Sequence, residues 1–159
     1  MPIISVGLFL LFMFIPRIDP LKSNIQQFRK HYDGFVVLIM VFLFYIYLLT
    51  IFWNSGYRFN MTTFLSPAMA ILFYYTGVLI ENAKPNWFIG IRTPWTMSSD
   101  RVWYKTHKVG GKLFKIAGIV ALAAVFFESA AIFFIVVPVI IVSIYTVLYS
   151  YIEYQKDNS

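Results

Sequence analysis

The chain has 159 residues, of which 60% are apolar, 20% aromatic and only 13% charged. A soluble domain of this length leaves much of its surface in water, so this composition excludes an ordinary soluble protein and indicates an integral membrane protein. The absence of cysteine excludes disulfides, thiol catalysis and thiolate metal sites.

Five apolar stretches predict an all-α fold, a single transmembrane domain built as a bundle of about five helices. The predicted spans are residues 2–15, 35–53, 63–80, 113–127 and 130–152. The first stretch is short for a bilayer and we expect Pro16 to end it. It lacks the basic start and the cleavage site of a signal peptide.

The net charge of +6 is concentrated beside the apolar stretches, where cations meet lipid headgroups. Segments 16–34, 82–115 and 151–159 hold twelve of the thirteen Lys and Arg, and Arg58 alone falls on the other side. The positive-inside rule therefore predicts a multi-pass protein of the cell membrane with its amino terminus outside. The loops 16–34 and 82–112 and the carboxyl terminus are predicted to be cytoplasmic. No basic stripe on a soluble module indicates nucleic-acid binding.

The first loop carries Ile25, Phe28 and Tyr32 at helical spacing. This pattern predicts a helix along the membrane surface that leads into the second span. The alternative is a solvated linker helix, which is the usual meaning of such a charged segment.

The central loop, around residues 86–112, is the one long segment that is neither an apolar stretch nor a short turn. Ser98 is placed to cap a helix, and Asp100 lies in its first turn. Near one face of this helix lie Val102, Trp103, Thr106 and Val109. We therefore expect an amphipathic surface helix that ends at the Gly110-Gly111 pair, before the fourth span.

The run NWFIGIRTPWTMSSDRVWYKTHKVGGKLF resembles the signature of the SdpI family of bacterial and archaeal membrane proteins. The matching positions are Asn86, Gly90 to Thr96, Trp103, Thr106-His107 and Gly110 to Lys112 with Phe114. The first loop resembles that family's basic first loop at Pro16, Asp19, Pro20, Phe28 and Tyr32. The resemblance thus extends over nearly the whole chain.

This resemblance implies a protein that confers immunity to a secreted, membrane-active toxin peptide. The best-known member also signals by holding a cytoplasmic repressor at the membrane. Longer members have a further amino-terminal region, for which we find no counterpart here. The implied partners are membrane lipids, a toxin peptide and a repressor protein. No cofactor is expected.

The candidate residues of the central loop each have a structural alternative. Arg92 could bind a lipid phosphate or a peptide carboxylate, or it could pair with Asp100 or with helix-end carbonyls to hold the loop. For Trp87 and Trp103 an anchoring role at the membrane interface is favoured, whereas Trp95, set by Pro94, is the better candidate for a ligand or tertiary contact.

Catalysis and metal binding find little support in the sequence. His107 lacks the neighbouring ligands of a metal site, and we favour a structural or headgroup-facing histidine. Glu128 reads as an exposed turn acid between two spans, although inside the membrane it would be a functional candidate. We therefore predict a non-enzymatic protein without a metal site.

All of the candidate binding residues lie in the central loop. They are Asn86, Gly90, Arg92, Thr93, Pro94, Trp95, Thr96, Asp100, Trp103, Thr106, His107 and Lys112. A small transporter or lipid-handling enzyme is the alternative function, and it predicts a polar cavity that reaches Arg92 and His107 from within the membrane. A third interpretation makes the loop a structural clamp for the third and fourth spans.

Overall fold

The structure is a computed structural model that describes residues 2–157, and all secondary structure in this range is helical. The helices are α1 (Pro2–Ile18), α2 (Lys22–Gln27), α3 (Arg29–Asn54), α4 (Met61–Asn82), α5 (Pro94–Ser98), α6 (Asp100–Leu122) and α7 (Ala131–Asp157). Two short 3-10 turns, Ala123–Val125 and Glu128–Ala130, connect α6 to α7. The predicted all-α membrane fold is confirmed.

Helices α4 and α6 pack antiparallel at the closest contact in the bundle. A Cβ on Gly111 would lie 2.8 Å from the Gly77 carbonyl oxygen, and a Cβ on Gly118 would lie 2.7 Å from the Ala70 carbonyl oxygen. These glycines let the two backbones approach each other, as small residues commonly do between membrane helices.

The predicted helix break at Gly110-Gly111 is wrong, because α6 continues through both residues to Leu122. A glycine pair reads as a breaker from local propensity alone. Here both glycines are buried, and the packing against α4 supplies the stability that local propensity lacks.

The amino-terminal helix α1 lies on the outside of the bundle beside α3. Tyr32 donates a hydrogen bond of 2.7 Å to the Phe12 carbonyl and so ties the two helices together. Pro16 does not end α1 as predicted, since the helix runs on to Ile18.

The apolar face of the first loop is buried rather than solvated or lying on lipid. Ile25, Phe28 and Tyr32 form a core cluster with residues that include Ala83, Ile89 and Trp103. The solvated linker interpretation is therefore wrong, and the first loop is part of the protein core.

Three segments gather at one end of the bundle, which we call the cap: residues 16–28, 83–112 and 150–157. Asp19 bonds to Trp87, and Asp157 bonds to Ser99, so the segments contact one another directly. At the opposite end Glu128 lies exposed in a turn and accepts a hydrogen bond of 3.2 Å from Thr63.

Three helices are long and apolar enough to cross a membrane: Arg29–Asn54, Met61–Asn82 and Glu128–Asp157, the last including the 3-10 turn that precedes α7. Pro2–Ile18 is a shorter apolar helix. The protein is thus a helical membrane protein. The number of complete spans and the side of the membrane that the cap faces stay predictions.

Candidate functional site

Asn86 organises the turn that follows α4, and its side chain is fully buried. Its amide donates hydrogen bonds of 2.8 Å to the carbonyls of Lys84 and Ile89. Its oxygen accepts the N–H groups of Phe88 and Ile89. Both donors are used, and the oxygen's two lone pairs are occupied, so this side chain closes the loop on itself.

Asp19 connects the first loop to this turn. Asp19 is 2% exposed, and its carboxylate accepts the N–H of Leu21 at 2.7 Å and that of Trp87 at 2.9 Å. Asn24 adds a second connection by donating to the Pro85 carbonyl at 2.8 Å. The two loops that carry the family resemblance therefore fold as one unit.

Thr93 and Thr96 hold the short helix α5 in a capping box, in which each side chain bonds the other's backbone N–H. Pro94 occupies the first turn, where its missing N–H has least effect. The Thr93 and Ser150 hydroxyls lie 3.0 Å apart, so α5 is also joined to α7.

Arg92 and Asp100 are exposed, and they form no ion pair with each other or with other described residues. The alternative in which Arg92 pairs with Asp100 is therefore wrong. Trp95 is half-buried, with its ring 5.1 Å from that of Tyr151. Arg92 is consequently exposed just before the capping box that holds the backbone of this loop.

His107 is buried between α6 and the loop, with 1% of its surface exposed. Its Nδ1 lies 2.8 Å from the Trp103 carbonyl, and its Nε2 accepts the Ile91 N–H at 3.0 Å. These partners fix the neutral ring with its proton on Nδ1, because only that tautomer donates to the carbonyl and accepts the amide.

Gly90 allows this contact. Its φ of +115° lies in the region that glycine adopts readily, and a Cβ there would collide with His107 Nε2. A larger residue at this position would push the imidazole away from the Ile91 amide.

Burial lowers the pKa of His107 from 6.5 to about 4, although its hydrogen bond to the Trp103 carbonyl opposes part of this shift. The ring is therefore neutral at physiological pH. Its two nitrogens are engaged within the cap, which agrees with the structural role favoured from the sequence.

Trp103 is fully buried and donates to the Ala83 carbonyl at 2.9 Å. The expectation that it anchors at the membrane interface is wrong. The amphipathic pattern placed it on the apolar face of α6, but that face packs against α4 and the first loop rather than lipid. Trp87 does remain 53% exposed.

Thr106 lies one turn further along the buried face of α6. Its hydroxyl is the one buried side-chain polar atom, among residues 2–157, that lacks a hydrogen-bond partner. Lys112 lies on the outer face of the same helix and is exposed.

The start of α6 is capped by Ser99, which accepts the Val102 N–H, and not by Ser98 as predicted. Ser98 instead donates to the Pro94 carbonyl at 2.6 Å, within α5. The predicted cap was one residue early because α5 occupies the positions just before it.

An ionic connection between α6 and the end of α7 was missed by the sequence analysis. Lys105 pairs with the buried Glu153 at 2.6 Å, and Arg101 pairs with Asp157 at 2.9 Å. Asp157 also accepts the Ser99 hydroxyl at 2.6 Å. The available signal was the pair of acids spaced four residues apart in an otherwise apolar helix.

A cavity of about 250 Å³ reaches the loop from between α1, α3 and α4. Its lining is mainly apolar, including Phe12, Phe35, Leu79 and Ile89, and it touches Gly90. Its lining does not include Arg92 or His107. Within residues 2–157, no three His, Asp or Glu side chains group closely enough to hold a metal ion.

Residues 82–150 match the model of the SdpI/YfhL protein family. Immunity protein SdpI of Bacillus subtilis (strain 168) is 27% identical over 121 residues, which cover 76% of this chain and 58% of that relative. No solved structure matches the chain. The resemblance seen in the central loop is thus confirmed, since residues 82–150 are similar to the SdpI/YfhL protein family.

Proposed function

We propose that this protein is a non-enzymatic membrane immunity protein, which protects its cell from a membrane-active toxin peptide. The similarity to Immunity protein SdpI supports this class of function. Such a protein acts by binding, and the cap is the part of this molecule that offers ordered polar groups for it.

The observation that carries this proposal is the presentation of Arg92. Its guanidinium is exposed and forms no ion pair among the described residues, while Thr93 and Thr96 fix the backbone just after it. An arginine held in this way can bind a carboxylate or phosphate through two parallel hydrogen bonds. Trp95, three residues later on α5, adds an aromatic side chain of the kind enriched at binding sites.

The remaining candidate residues have a supporting role in this proposal. Asn86, Trp103 and His107 are buried and bonded within the cap, so they shape the surface that Arg92, Trp95 and Asp100 present. The enclosed position of His107 weighs against a transport or lipid-processing site at that ring. Signalling through a cytoplasmic repressor would use the same exposed surface.

A protection assay in a toxin-sensitive host tests the proposal. Cells that express the wild-type protein should survive the toxin, and Arg92→Gln should lower the tolerated toxin concentration about tenfold, since a charge-assisted bond contributes about 1.5 to 3 kcal/mol. Lys22→Gln removes one exposed charge from the first loop and serves as the matched control.

Membrane levels and thermal midpoints must match among the three proteins. If the well-inserted wild type gives no protection, the immunity proposal is wrong. If wild type and Arg92→Gln protect equally, immunity does not act through Arg92.

A further inference from the structure

One face of α6 carries seven residues at spacings of three or four, which places them in a single outward row. The row consists of Arg101, Tyr104, Lys108, Lys112, Lys115, Ile119 and Leu122. All are exposed except Lys115, which is half-buried. The row runs from the cap into the apolar part of the bundle.

The cap end of this row carries an excess of positive charge. Lys108 and Lys112 are exposed and make no ion pair among the residues described. The Lys84 ammonium lies 5.0 Å from the centre of the Tyr104 ring and brings a third cation to the same face. Lys115 is neutralised by its pair with Glu81.

The other end of the row borders an apolar groove between α4 and α6. The groove has a volume of about 170 Å³ and is lined by Ala70, Ile71, Tyr74, Gly118, Ile119 and Leu122. It exists because Gly118 packs on the α4 backbone without a side chain of its own.

Helix geometry sets the distance between the groove and the cations. At about 1.5 Å per residue, Lys112 lies about 9 Å and Lys108 about 15 Å along the axis from Gly118. A phospholipid has the same order of groups, with a phosphate at the interface and a hydrocarbon chain below it. The row changes from cationic to apolar where such a molecule does.

We propose that the α4–α6 seam binds an anionic phospholipid from the leaflet next to the cap. Lys108 and Lys112 bind its phosphate together with Lys84, and its acyl chain lies in the groove at Gly118. Positive charges at a membrane surface attract anionic lipids in this way. This inference is independent of the proposed immunity function.

Charge favours a lipid over a second copy of the chain at this seam. In a two-fold symmetric dimer the same patch meets itself, so Lys108 and Lys112 would approach the equivalent lysines of the partner. Like charges placed opposite each other oppose association. An anionic headgroup instead neutralises them.

A site-specific quenching experiment tests this proposal, and the absence of cysteine makes it simple. Ile119→Cys places a fluorophore at the groove of the full-length protein in phosphatidylcholine vesicles. Brominated phosphatidylglycerol or brominated phosphatidylcholine is then added at equal mole fractions. Phosphatidylglycerol should quench the fluorophore at the lower fraction.

The charge dependence identifies the headgroup contacts. Adding Lys108→Gln and Lys112→Gln should weaken the preference for phosphatidylglycerol by about fivefold or more, the effect expected for loss of at least one surface cation. Lys22→Gln with Lys30→Gln removes the same charge from the first loop and should leave the preference unchanged.

Three outcomes would overturn the proposal. The first is equal quenching by the two lipids in the protein with all lysines intact. The second is an equal loss of preference in both double variants, which would indicate a general surface potential. The third is oxidative cross-linking of Ile119→Cys into dimers whose formation excludes the quencher, which would assign the seam to a second copy.

Discussion

The His107 imidazole is stacked on the Trp103 indole, with ring centroids 3.9 Å apart and 15° between the ring planes. Both side chains project from α6, yet each bonds a different part of the chain outside it. Trp103 donates to the end of α4, and His107 accepts from the loop at Ile91. The stacked pair therefore joins α6 to the end of α4 and to the loop at Ile91, in each case through a backbone group.

Acid should destabilise the protein through His107. The folded pKa of about 4 lies below the ordinary value of 6.5, so the unfolded state takes up the proton first as the pH falls. The stability is fully present above pH 6.5 and is lost progressively between pH 6.5 and 4. We expect a loss of about 2 kcal/mol between pH 8 and 5.

Unfolding in detergent micelles at a series of pH values measures this loss. His107→Gln should flatten the pH dependence, whereas His31→Gln should retain it. Parallel pH profiles for the wild type and His107→Gln would contradict the assignment.

Gly90→Ala should destabilise the cap more than Gly56→Ala destabilises the opposite end. Both glycines have positive φ, of +115° and +99°, so both variants carry the backbone strain of about 1 to 2 kcal/mol. Only at Gly90 does the added methyl meet His107, because nothing lies within 4 Å of a Cβ at Gly56. The difference between the two thermal midpoints isolates the collision. Equal midpoints would show that the loop relaxes around the methyl.

Gly111→Ala should be destabilising even though alanine favours helices by about 1 kcal/mol. Its Cβ would lie 2.8 Å from the Gly77 carbonyl oxygen and 2.9 Å from the Glu81 nitrogen, so two helix backbones would have to separate. Overpacking of this kind costs about 1 to 3 kcal/mol. Gly7→Ala is the matched control in α1, where a Cβ has free space, and it should be neutral or stabilising. A stabilised Gly111→Ala protein would show that the contact is loose.

Asp19→Ala should separate the first loop from the central loop. The change leaves the partly buried N–H groups of Leu21 and Trp87 without their charged acceptor, and we expect a loss of about 2 to 4 kcal/mol. Asp19→Asn keeps one acceptor oxygen and should lose about half as much. Protease sensitivity around residue 87 reports the separation directly. Equal stability of the alanine and asparagine variants would rule out the hydrogen bonds as the cause.

The helical membrane fold could be predicted because it depends on composition and the length of apolar stretches. The errors have a common origin in tertiary contacts. Without the packing against α4, Gly110 and Gly111 predict a helix break, and Trp103 predicts an anchor at the membrane interface. Lys105 and Arg101 read as surface charges until Glu153 and Asp157, about fifty residues later, are placed beside them.

The candidate residues were found largely through the family signature, and the structure divides them by exposure. Asn86 and His107 are required for the structure of the cap, because their hydrogen bonds are all made within it. Arg92 and Lys112 are exposed, and so is Lys108, which the sequence analysis did not select. The grouping of Lys108 with Lys112 required the groove at Gly118, which two helices form together.

Because α6 is continuous, it joins the cap rigidly to the bundle. Its 23 residues form a single rod of about 34 Å, from Asp100 in the cap to Leu122 near the opposite end. A ligand that tilts the cap by a few degrees must swing the far end of this rod by an ångström or more. A binding event at the cap can thus reach the Leu122 end of α6 without a hinge in this helix.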